Sequence, residues 1–139
     1  MNTIKKPKIG LAGVMCTPFR GNKEDNYRAS RSALEGLAQR FDFELYVIDE
    51  GIYNLEQAES ATRQLQGWNV DFILLQSSSF ASGDFIYPFA ALPARLGLWA
   101  VPEGPPTSEG GLPLNSFTGA NLYNSILKTE ATHYNRPVK

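Results

Sequence analysis

The sequence predicts an α/β domain: an open, parallel sheet of four to five strands with helices on both faces, arranged as a three-layer sandwich. Three observations carry that expectation. Short, continuous apolar runs recur along the chain, and amphipathic helical patterns stand between them. Each crossover is about twenty residues long, which a parallel strand needs because only a crossover connection can reach it.

Taken in order, Ile9, Leu11, Ala12, Val14 and Met15 form one run after Lys8, the pattern of a first, central strand buried on both faces. Residues 16–26 are polar and turn-rich. Tyr27, Ser30, Leu34, Leu37 and Phe41 then follow at alternating three- and four-residue steps, an amphipathic helix of about four turns. Residues 43–48 supply a second strand. Asn54 stands as an N-cap, with Glu56 and Glu59 favouring the positive helix end, and the helix from Leu55 closes near Gly67. Residues 70–75 form the third strand and residues 96–101 the fourth. The helix between them starts near Asp84, capped by Ser82 or Asp84, and ends at Pro93 or just beyond. Residues 104–111 are too rich in glycine and proline to continue either regular structure. A last helix, capped by Asn115 or Ser116, runs through Ile126 and Leu127.

Right-handed crossovers leave few topologies for these elements, and a flavodoxin-like open sheet fits them. In that arrangement the loops following the strands' carboxyl ends gather at one edge and form the binding crevice. Residues 16–21, 76–84 and 102–115 should therefore share one rim.

Composition limits what the rim can do. A chain of 139 residues fits a single domain, able to bury roughly 65–70% of its unfolded surface. Thirteen Lys and Arg against 14 Asp and Glu offer no basic field for nucleic acid and no polybasic anchor for a membrane. Cys16 is the single cysteine, which excludes an internal disulfide. No apolar run approaches the ~20 residues of a membrane helix, and the amino terminus shows no separate apolar signal stretch. The expectation is a cytoplasmic protein.

The loops lack the motifs of several known chemistries. Gly10, Gly13 and Gly21 lie near a strand-to-helix junction, but neither G-x-G-x-x-G nor the Walker pattern occurs, which disfavours a nucleotide or flavin. Ser77, Ser78 and Ser79 have no G-x-S-x-G elbow around them, and the one histidine, His133, lies near the carboxyl end. These serines read as a polar loop. Cys16 has no histidine placed to activate it and reads as an unreactive thiol. One histidine and scattered carboxylates make no metal-ligand set.

The segment from Leu98 is the most specific. Leu98-Trp99-Ala100-Val101-Pro102-Glu103, a glycine-rich gap, Leu112-Pro113-Leu114-Asn115-Ser116-Phe117 and Gly119-Ala120-Asn121-Leu122-Tyr123 together resemble the N-terminal domain of the L-fucose/L-arabinose isomerase family. Phe80-Ala81-Ser82-Gly83-Asp84 is similar to that family's loop after the third strand, and the likeness runs from Lys8 over most of the chain.

The resemblance implies a domain of a ketol isomerase that interconverts an aldose and a ketose, usually with manganese. It implies that the metal ligands belong to later domains, so this chain carries no cofactor of its own. It also implies a homo-oligomer in which the N-terminal domain closes the sugar pocket of a neighbouring subunit. The matching positions are Arg20 and Phe80 with its neighbours Ser82 and Asp84; Glu103, Asn115 and Asn121 are further substrate-binding candidates. Residues 129–139 would lead into a second domain. Two classes of function stand: a non-catalytic substrate-covering and assembly domain of a sugar isomerase, or an independent small-molecule or protein-binding module.

Overall fold

The computed structural model describes residues 5–106, 108 and 111–134. Four strands, β1 (Lys8–Val14), β2 (Glu44–Val47), β3 (Phe72–Ser77) and β4 (Arg95–Ala100), form one sheet in the order β2-β1-β3-β4. Every pairing is parallel. The helices are α1 (Lys23–Phe41), α2 (Leu55–Gly67), α3 (Tyr87–Ala90) and α4 (Ser116–Glu130). This is the flavodoxin-like open sheet that the alternating pattern predicts.

The register sorts the side chains into two cores. Ile9, Leu11 and Gly13 lie level with Phe72, Leu74 and Gln76, so these positions point to one face and their neighbours to the other. On the first face Leu11, Met15 and Tyr27 are buried, with Leu34, Leu45, Val47 and Leu74 packed around them. Here α1 is the covering helix among the described residues. The opposite face is larger: Ala12, Val14, Ile73, Leu75 and Leu96 meet Ala58, Ala61 and Leu65 of α2, Phe89 of α3, and Tyr123 and Leu127 of α4.

Gly13 is required where α1 approaches β1. A Cβ there would stand 2.7 Å from the Tyr27 ring. Tyr27 uses that space to donate its hydroxyl to the carbonyls of Leu11 and Ile48, at 3.2 and 2.6 Å.

Several boundaries differ from the sequence expectation for physical reasons. Helix α1 starts at Lys23 rather than near Tyr27, because its polar first turn carries no apolar signal. Its far end outruns the sheet. Nineteen residues span about 28 Å, whereas the four residues of β2 span about 13 Å. Leu37 and Phe41, expected on the apolar face, are accordingly 40% and 63% exposed. The segment between β3 and β4 is a 3-10 turn at Gly83–Phe85 followed by a four-residue α3 with proline in its first turn, not one continuous helix. Strand β3 runs on through polar Gln76 and Ser77, beyond the apolar residues that announce it.

Helix α2 matches its expectation closely: Asn54 is extended, and its side chain accepts the amide of Gln57 at 2.8 Å. An isolated parallel bridge pairs Leu96 with Tyr134, on the outer side of β4. Trp68 packs on the larger core, its ring centroid 5.4 Å from that of Tyr46. Trp99 is half-buried on β4 and joins neither core cluster among the described residues. The expected tail at 129–139 is described only to residue 134.

Candidate functional site

The chain leaves β1 toward α1 on one face and leaves β3 toward α3 on the other, so the sheet's switch point lies between β1 and β3. Hydrogen bonds lace this point together. The Cys16 amide donates to Ser79 Oγ at 2.8 Å, and the amides of Ser78 and Ser79 both donate to the Val14 carbonyl. The loop after β4 reaches across to the other two. Phe80 N–H donates to the Leu114 carbonyl at 2.8 Å and Gly21 N–H to the Pro113 carbonyl at 3.0 Å. A side chain at Gly21 would strike Leu114 and Pro113. The three loops thus form one rim, as the sequence predicts.

Beneath the rim the serines are a satisfied polar floor. Gln76 Nε2 donates to Ser30 Oγ at 2.7 Å, Ser78 Oγ to Gln76 Oε1 at 2.8 Å, and Ser77 Oγ to the Ser116 carbonyl at 2.8 Å. All four residues from Gln76 to Ser79 are buried. His133 lies at the other end of the sheet, where its carbonyl accepts the amide of Leu96 near the start of β4. No serine–histidine pair can form, and Cys16, half-buried beside Ser79, has no histidine within reach for the same reason.

The expected site residues divide into two groups. Arg20 is exposed on the first loop and makes no ion pair among the described residues. Phe80 is half-buried and meets Phe19 with ring centroids 5.9 Å apart, tilted by 56°. Arg20 and this aromatic pair belong to one corner of the rim. Ser82 and Asp84 follow on the same loop, both exposed, with Ser82 Oγ accepting the Asp84 amide as the cap of the 3-10 turn.

The second group holds the loop itself. Glu103 Oε2 accepts the amides of Leu114 and Asn115 at 2.8 and 2.9 Å, so one of its oxygens is committed to backbone. Asn115 sits at the N-cap of α4 with left-handed backbone, φ 53°, and its side chain makes no capping bond. Asn121 is exposed on α4, its carbonyl taking the Ser125 hydroxyl.

Sequence reasoning missed two features near the rim. Lys23 is buried; its ammonium donates to the Phe19 carbonyl at 2.7 Å and stands 3.7 Å from Glu24. It pins the loop that carries Phe19 and Arg20. Glu24 accepts the Tyr53 hydroxyl, which holds the Glu24 carboxyl below the usual carboxylate range; burial, and then this same bond, pushes the Tyr53 phenol up. The tie joins the start of α1 to the loop after β2, a loop that the sequence argument passed over because it has no motif.

Among the described residues no group of three or more His, Cys, Asp and Glu side chains converges to hold a metal ion. The described residues at the rim offer no ligand set that fits manganese. No described helix is long and apolar enough to cross a membrane. In comparisons with known protein families, with characterised proteins and with solved structures, nothing matches the chain significantly.

Proposed function

We propose that this chain is the substrate-covering and assembly domain of an aldose–ketose isomerase, contributing sugar contacts but no metal ligand. One observation carries the reading. The rim sets an exposed arginine, without an ion pair among the described residues, next in sequence to Phe19, which packs against Phe80 of the loop after β3, on a floor whose own polar groups are satisfied. A guanidinium fork donates to hydroxyl or anionic oxygens, and an aromatic face packs on the C–H side of a sugar. Among the described residues no metal-ligand set converges, so the reading gives the rim the holding of the sugar and not its transformation. In this reading manganese and its ligands belong to another domain or subunit that closes over the rim.

Within the site, Arg20 and Phe80 carry substrate contact, with Ser82 and Asp84 at the periphery. Glu103 and Asn115 shape the loop. Kinetics of the protein encoded by the complete reading frame test this division. Arg20→Ala and Phe80→Ala should each raise KM about tenfold or more, the loss of one charge-assisted hydrogen bond or one aromatic contact, with a much smaller change in kcat. Unchanged kinetics in both variants would refute the covering role. Tight sugar binding by the 139-residue chain unaided would favour the independent binding module instead.

A further inference from the structure

Two adjoining cavities of about 320 and 260 Å³ open beside the loop after β2, and neither is lined by Arg20 or Phe80. They share Asp49, Glu50, Gly51 and Gln57. Helix α2 supplies the wall of the larger one through Gln57, Ser60, Ala61 and Gln64. That spacing is a single helical stripe about 10 Å long. Ile48 and Ile52 add apolar surface opposite it.

The charges around the cavities narrow the ligand. Asp49 is spent on Arg31 at 2.8 Å, Arg28 is paired with Asp25, and Glu24 takes the Tyr53 hydroxyl. Glu50 has no ion pair among the described residues. Among the described lining residues the cation, Arg28, is paired with Asp25, so carboxylate outweighs free positive charge, which opposes a phosphate or a carboxylate ligand. What remains available is a mixed set of donors and acceptors: two side-chain amides, a serine hydroxyl and a carboxylate. Gln57 is already oriented, since its Oε1 accepts the Tyr53 amide at 2.7 Å and leaves its NH2 for a ligand.

We infer that this double cavity binds a neutral, hydroxyl-rich small molecule, an extended polyol lying along the Gln57, Ser60 and Gln64 stripe. Each hydroxyl of such a molecule can donate to the carboxylate or an amide oxygen and accept from an amide NH2, which matches the lining where a purely cationic or apolar ligand would leave groups unpaired. The inference stands apart from the isomerase reading, because a domain with no role in isomerisation would carry the same cavity.

The test is an NMR titration of the isotope-labelled 139-residue chain with a hexitol, with spermidine and with inorganic phosphate. The hexitol should shift the side-chain amides of Gln57 and Gln64 and the backbone of residues 49–51, saturating with a Kd of about 1 mM. Gln64→Leu and Ser60→Leu should each weaken it severalfold; Gln64 is exposed and Ser60 half-buried, outside both core clusters, so the rest of the spectrum should keep its dispersion. Absence of a saturable shift by about 100 mM hexitol would overturn the proposal. So would a spermidine response equal to the hexitol's, which marks a merely acidic surface, or a preference for phosphate. Hexitol shifts confined to Arg20 and Phe80 would refute this site while supporting the rim.

Discussion

Glu103 shows how a residue's chemistry is decided by what it already holds. As a carboxylate after a strand it reads as a sugar acceptor, yet Oε2 takes two backbone amides that anchor the base of the loop after β4. Glu103→Ala should cost about 1–3 kcal/mol of stability, measured by urea unfolding, because two amides lose a charged acceptor. Gly13 makes a complementary case. Gly13→Ala would drive a methyl into the Tyr27 ring and should cost about 1–3 kcal/mol in the same measurement. Tyr27 and Tyr123 also give the fold an alkaline limit. Burial raises both phenols above their ordinary value, so the folded state keeps protons that the unfolded chain releases above about pH 10. Their contribution is whole below that pH and is lost as pH rises through the folded values. Urea midpoints should therefore hold steady up to about pH 10 and fall beyond it.

At the scale of elements, Asn54→Ala tests the most legible feature of the chain. The cap bond to Gln57 N–H should be worth about 1 kcal/mol, read as a lower urea midpoint with an unchanged slope. Asn54 and Leu55 are visible in the sequence because a cap is a local signal, set by one side chain and an amide three residues on. The central strand is visible for a similar reason: β1 is buried on both faces, so its apolar run is continuous. Features that depend on distant partners were hidden. Gln76 and Ser77 continue β3 because Ser30 and Ser116, far along the chain, satisfy them. Leu37 and Phe41 keep helical spacing but extend past the short β2, and periodicity does not report where a sheet ends. The rim was legible as three loops, through the topology. The cavity beside β2 was not, since Gln57, Ser60 and Gln64 look like any solvated helix stripe until the loop at 48–52 folds against them.

For the whole molecule, the sheet order explains why the rim exists at all: the loops that depart to opposite faces from β1 and β3 meet at the switch point, and the loop after β4 bonds to both through Pro113 and Leu114. The domain thus sets Arg20, Phe19 and Phe80 above a floor whose described polar side chains are hydrogen-bonded. Under the proposed function these groups cover a reaction carried out by groups elsewhere. A manganese-dependent aldose–ketose assay joined to light scattering, on the 139-residue chain and on the protein encoded by its complete reading frame, tests this most directly. The account predicts no turnover by the chain alone, and turnover with oligomerisation once the metal-bearing part is present. Turnover by the chain alone, or none in the complete protein, would contradict it.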